Sequence, residues 1–266
     1  MDRTEPAGRA SRRVALVELP HPSLDGFRSG DVAFARVSWP MRAAEELRSA
    51  MIFRALARAS ACSPVTAAWE GRFLDAAHDE LFHARLCATV GTRLGAERPR
   101  YDATRVHDRL APLVDPLARA CSLLLLEVAI GETISMLLLR AARRASTEPL
   151  TRAALHLILA DEVRHQRLGW TALSAWWPGL SDEVRTTLQE TTRIGLAALE
   201  QQVAAPALSR LSSGAPFEAP YAALGVVKPE ARVEAFYDAV ERLVLPRLDK
   251  LGLDGQGAWR RRYGAQ

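Results

Sequence analysis

Cysteine is scarce in this chain of 266 residues: only Cys62, Cys87 and Cys121 are present. Three thiols cannot all pair within one chain, and their spacing fits no zinc motif, which excludes a disulfide scaffold and a zinc ribbon. Cys87 and Cys121 fall in apolar helical surroundings and read as small buried hydrophobes, as suits a reducing cytoplasm. Long hydrophobic runs are missing too. The longest, around Leu123 to Ile130, is interrupted by Glu127 and is too short to cross a bilayer, so no membrane partner is expected. The N-terminal MDRTEPAGRASRRVALVELP has arginines but no sustained apolar core, so no secretory leader is expected either. No segment alternates polar and apolar residues as a strand does. Blocks of one charge are also lacking. The 35 basic and 31 acidic residues are interspersed, and much of the +4 surplus sits near the ends, at Arg9, Arg12, Arg13, Arg260, Arg261 and Arg262. That is a solvated surface rather than a nucleic-acid footprint.

What is abundant is alanine, leucine and arginine in long stretches of helical period, with glycine and proline gathered between them. The reading is all-α. Residues 1–38, rich in proline, glycine, serine and arginine, read as an extended arm. Helical periodicity starts at Trp39-Pro40, where proline suits a first turn, and stops near Ser60–Pro64. Further helices are expected over 65–94, 116–145 and 149–176, with a tight turn at Ser146-Thr147-Glu148-Pro149 between the last two. Residues 39–178 would form a four-helix bundle. Residues 179–266 would add two helices in the same domain, one capped at Ser181 and reaching Leu211, the other from Pro229 to Leu251. The terminal WRRRYGAQ reads as a solvated tail.

The bundle region contains a diverged internal duplication. With an offset of 86, Glu46 falls on Glu132, Ser49 on Ser135, Arg54 on Arg140, and Arg58-Ala59-Ser60 on Arg144-Ala145-Ser146. With an offset of 82, Asp79-Glu80 falls on Asp161-Glu162, His83 on His165, and Arg85-Leu86 on Arg167-Leu168. One helix pair is used twice. Chance supplies arginine and alanine matches in helices of this composition. It does not readily supply matched glutamates together with a matched Glu-x-x-His.

Residues i and i+3 share a helix face, so each Glu-x-x-His can aim at one point. Those faces are otherwise apolar or small, with Phe73, Ala76 and Cys87 in one helix and Leu155, Leu159 and Gly169 in the other. A carboxylate on a core-facing stripe needs a partner, because burying an unpaired charge is costly. In antiparallel pairs, Glu46 lies level with Glu80, and Glu132 with Glu162 to within about one turn. A lone Glu-x-x-His is ordinarily a solvated surface pair. Two copies with paired glutamates make the inventory of a two-metal bundle: Glu46, Glu80, His83, Glu132, Glu162 and His165. Glu45 falls on Gly131 in the repeat, which favours Glu46. Glu127 has no counterpart; an extra ligand or a proton relay is open to it, but a surface or helix-end carboxylate is the favoured reading. His78, His107 and His156 lie off the stripe.

At these residues the chain resembles the ferritin-like superfamily of carboxylate-bridged di-iron proteins, over about residues 40–176. Asp161-Glu162-Val163-Arg164-His165 matches the D-E-x-R-H pattern of its oxygen-activating branches, and Asp79-Glu80-Leu81-Phe82-His83 is the same pattern without its arginine. The resemblance implies a ferritin-like bundle holding two iron ions, with manganese or a mixed pair as the rival. It implies Glu80 and Glu162 as the bridging, catalytic ligands. It also implies that Asp79 orients His165 and Asp161 orients His83.

The implied function is a dioxygen-dependent monooxygenase or oxidase acting as hydroxylase, N-oxygenase or desaturase. The substrate would be a small or carrier-bound organic molecule, with a ferredoxin or reductase as electron donor. The extra C-terminal helices could cover a substrate channel or form a homodimer face. Bacterial arylamine N-oxygenases have similar additions, but they place a further histidine one turn before the last glutamate, where this chain has Ile158. The alternative is non-enzymatic iron storage, against which stand the chain length and the absence of an acidic stripe to draw iron inward. A tyrosyl-radical subunit does not fit. Tyr101, Tyr221, Tyr237 and Tyr263 all lie outside the four bundle helices.

Overall fold

The computed structural model describes residues 18–61, 66–97, 113–213 and 220–264, and no strand occurs among them. Cys62, Tyr101 and His107 lie outside these residues, as does the first part of the expected N-terminal arm.

Helix α1, Ser29–Ala61, begins ten residues before Trp39 and carries Pro40 in its interior. An interior proline loses one hydrogen bond and costs about 3 kcal/mol. Burial of Val32, Ala35 and Trp39 offsets that cost, and the Trp39 indole donates to the Leu224 carbonyl at 3.0 Å. Pro40 also has a fitted neighbour in Gly91 of α2, where a Cβ would lie 3.1 Å from its ring. Helix α2, Glu70–Arg93, returns antiparallel and packs along α1. Its C-cap, Leu94, is followed by Gly95, whose φ of +90° suits glycine.

Helix α3, Pro116–Ala145, starts at Asp115, whose carboxylate accepts from the Ala118 amide at 2.6 Å. By length and composition this helix could cross a membrane, but most of its most apolar window is buried inside the protein. Its middle, Leu124–Gly131, widens into a π-helix that ends immediately before Glu132. Helix α4, Pro149–Trp176, is capped by buried Glu148, which accepts from the amides of Leu150 and Thr151 at 3.0 and 2.7 Å.

Helix α5, Asp182–Val203, stops near Ala204 and α6, Ala205–Ser212, follows, so the expected single helix to Leu211 is two. Pro206 explains the break: it has no N–H to offer the carbonyl four residues back. Helix α7 covers 229–251 with a π-turn at Val240–Val244, just before Pro246. A short α8, Gly255–Arg260, packs on α5. Helices α5 and α7 both lie against α3.

In the segment expected to be a solvated tail, Arg260, Arg261 and Gly264 are exposed, but Arg262 and Tyr263 are anchored. The buried Glu200 carboxylate accepts from Tyr237 at 2.6 Å, Tyr263 at 2.8 Å and Arg262 at 2.5 Å, and Arg262 stacks on Trp259. Sequence periodicity could not reveal this anchor, because one glutamate on α5 supplies it.

The apolar core has two parts. One gathers Phe53, Phe73, Trp176 and Phe236; the other gathers Trp39, Leu86, Leu155 and Ile158. The seam between them crosses α1 near residue 46, α2 near 80 and α4 near 162.

Candidate metal centre

All six expected ligand side chains are buried at this seam: Glu46, Glu80, His83, Glu132, Glu162 and His165. Glu46, Glu80, His83 and Glu162 each offer an atom within 4.8 Å of the others. His83 Nδ1 lies 3.9 Å from Glu46 Oε2, 3.7 Å from Glu80 Oε2 and 3.4 Å from Glu162 Oε1. His165 Nδ1 lies 2.7 Å from Glu80 Oε1 and 4.0 Å from Glu162 Oε2. Each central carboxylate therefore divides its two oxygens between the two imidazoles. Glu132 lies beside Glu162 and Glu80, close enough for their charges to act on it.

The outer imidazole nitrogens are held crosswise. His83 Nε2 is 3.1 Å from Asp161, and His165 Nε2 is 3.2 Å from Asp79. Arg164 joins the two aspartates, donating to Asp79 at 2.9 Å and to Asp161 at 2.5 Å. Arg164 belongs to the D-E-x-R-H pattern, and the spacing of that pattern alone gives it no role at the site. The signal was its position three residues after Asp161 and one before His165.

An aspartate facing Nε2 fixes the proton there and turns the Nδ1 lone pair inward. Both Nδ1 atoms, both Glu80 oxygens and Glu162 Oε2 are buried and lack a partner in hydrogen-bond geometry among the described residues. These atoms converge on one another without bonding to one another, which is the arrangement of ligands around cations. The field agrees. Burial and the charges of Glu80 and Glu162 push Glu46 well above the usual carboxylate range. Burial, with Glu162 and Glu80, does the same to Glu132. Burial also acts against charge on Glu80, but the adjacent His165 and His83 hold its carboxyl low. His165 is pushed up to about 10: burial opposes its charge, and Asp79 and Glu80 overcome that opposition. A site that draws protons onto buried imidazoles attracts positive charge, and two divalent cations satisfy the same field. The residues fit a two-metal centre with mixed carboxylate and imidazole donors.

The other candidates stand apart. Glu45 is exposed and pairs with Arg48 at 3.1 Å; Glu127, on the π segment, meets the same arginine at 2.8 Å. His78 and His156 are exposed. Ile158 is fully buried in the apolar cluster, so its position supplies no ligand. Cys87 and Cys121 are free and buried.

Comparison with known proteins agrees with this geometry. The sequence model of the family described as P-aminobenzoate N-oxygenase AurF matches residues 48–245. A solved structure, protein 19 with aldehyde deformylating oxidase activity from Synechococcus, superposes with a TM-score of 0.54 at 17% identity. It covers 86% of this chain and 93% of its own, a likeness of fold. No curated protein sequence matches the chain.

Proposed function

The chain belongs to the AurF family of P-aminobenzoate N-oxygenases, di-iron proteins of the ferritin-like superfamily, and from that premise we propose a dioxygen-dependent oxygenase of a small organic substrate. Iron is the proposed metal, and an arylamine or another compact aromatic is the first substrate class to try. The observation that carries the reading is the pair of inward-facing, partnerless imidazole nitrogens flanked by carboxylates whose oxygens divide between them.

Glu46 and His83 would hold one ion, and Glu132 and His165 the other, with Glu80 and Glu162 shared between them. When bound, the metal pair supplies the electrons with which dioxygen is activated. The rest of the work falls to the chain. Asp161 and Asp79 keep the proton of each imidazole on Nε2, so that Nδ1 stays a lone-pair donor. Arg164 balances the two aspartates against each other and fixes their rotamers. Phe53, packed 5.4 Å from the His165 ring, and fully buried Phe73 keep water from that flank. Ile158 stands where arylamine N-oxygenases have a further histidine, so the ligand set is smaller by one and the substrate preference is expected to differ.

The test is anaerobic loading with ferrous iron, followed by oxygen uptake with a panel of arylamines, phenols and alkyl acids under ¹⁸O₂. Two irons per chain and ¹⁸O in a product are expected. Iron bound beyond two per chain, with no product from any class, would replace this reading with iron storage.

A further inference from the structure

We propose that the surface between the start of α2 and the middle of α4 is where an acidic one-electron carrier protein docks and delivers electrons through His165. The inference rests on the di-iron reading above and adds to it the place and charge of the donor.

A cavity of about 380 Å³ opens here, and both His165 and Asp79 line it. From this cavity the His165 ring leads inward to Glu80, which its Nδ1 approaches at 2.7 Å. Glu46 and Glu132 keep 8% and 6% of their surface exposed, but this cavity is lined by a ligand imidazole together with the aspartate that holds it. A redox partner that cannot enter the protein must sit where a ligand of the centre borders the surface, and this cavity is such a place.

The rim says what kind of partner fits. Arg72, Arg164 and Arg167 line the cavity against a single exposed acid, Asp75. Arg164 is engaged by Asp79 and Asp161, yet its side chain remains 61% exposed. Arg72 and Arg167 have no ion-pair partner among the described residues, and Arg72 lies over the Trp69 ring at 4.7 Å. Partly buried Trp69 and Leu168 give the cavity an apolar floor. Unneutralised cations around a shallow apolar patch suit the small, electrostatically steered contacts of electron-transfer encounters. The complementary partner is acidic, an iron–sulfur protein of the ferredoxin type. At each visit its reduced cluster gives up one electron to the ferric pair and leaves oxidised by one electron. Two visits deliver the two electrons of a turnover.

The experiment uses full-length, iron-loaded protein in its oxidised form and a plant-type [2Fe–2S] ferredoxin as probe. Stopped-flow absorbance follows reduction by reduced ferredoxin and, separately, by dithionite. Binding is measured by calorimetry at low and high salt. The double variant Arg72→Glu with Arg167→Glu should slow ferredoxin reduction and weaken binding by about tenfold or more at low salt. The difference should shrink at high salt, with iron content and dithionite reduction unchanged. The control Arg140→Glu with Arg144→Glu, of equal charge and outside the cavity lining, should behave as the parent. Equal ferredoxin rates in parent and cavity variant, an equal loss in the control, or no transfer from ferredoxin to a parent that dithionite reduces would overturn the docking surface alone. Failure to bind iron would overturn the oxygenase reading, and with it the acceptor this inference needs.

Discussion

Substituting Glu80→Ala or His165→Ala takes away inward-facing donor atoms, the Glu80 oxygens or His165 Nδ1, that have no hydrogen-bond partner among the described residues and that no neighbour replaces. Each variant should lose at least one iron per chain while its far-ultraviolet circular dichroism stays near that of the parent. Full iron retention in both would remove them from the ligand set. Asp161→Ala acts one step further out: it frees the His83 Nε2 proton to change place, so metal affinity should fall about 10- to 100-fold in chelator competition. Asp79→Ala should do the same through His165, by a similar factor, because the two contacts are equivalent. The thiols give a further check. Burial pushes Cys121 up to about 12, with Asp115 adding to it, and pushes Cys87 up as well. A thiol whose pKa is raised stays protonated through neutral and mildly alkaline pH, so neither residue should react with iodoacetamide at pH 8 until the protein is unfolded. Mass mapping of the labelled peptides decides it.

At the scale of elements, α4 passes close to the backbone of the π segment of α3 at Gly169. A Cβ on Gly169 would lie 2.7 Å from the Ala129 backbone nitrogen and 2.9 Å from its Cα. Backbone cannot yield as a flexible side chain does, so Gly169→Ala should cost about 1–3 kcal/mol in urea melts. It should also lower iron content by displacing Glu132, three residues beyond Ala129. Gly71, in open space on α2, is the control, and Gly71→Ala should cost nothing. The π segment itself could not be read from the sequence. Leu123 to Ile130 has only the apolar character of a buried helix, and the widening depends on how α4 and α5 press against it. The Glu-x-x-His pairs were legible because their spacing is local and repeated. The longer start of α1 was not, since it depends on the burial of Trp39 beneath Leu224, far along the chain. The π-turn before Pro246 and the break at Pro206 lie between these cases: proline marks the place but not the form.

For the whole molecule, the C-terminal anchor ties α5, α7 and the end of the chain through one carboxylate. Burial opposes charge on Glu200, yet Arg262, Tyr237 and Tyr263 hold its carboxyl below the ordinary range. A carboxyl lowered on folding contributes stability that is fully present above its unfolded pKa, about 4.3, and is lost as pH falls through the folded value. The stability difference between the parent and Glu200→Gln should therefore be constant from pH 8 to about 5 and shrink below pH 4. Guanidinium melts across that range measure it, and a gap that widens in acid would contradict the assignment.

The crossed aspartates carry one more consequence. Helices α1 and α2 supply two glutamates, one histidine and an aspartate whose imidazole partner belongs to the other hairpin; helices α3 and α4 supply the same set with the same debt. Neither hairpin is a chemically finished object. Each would be completed by a copy of itself turned through half a revolution, so a polypeptide half as long, meeting its twin, would already possess every part of this centre.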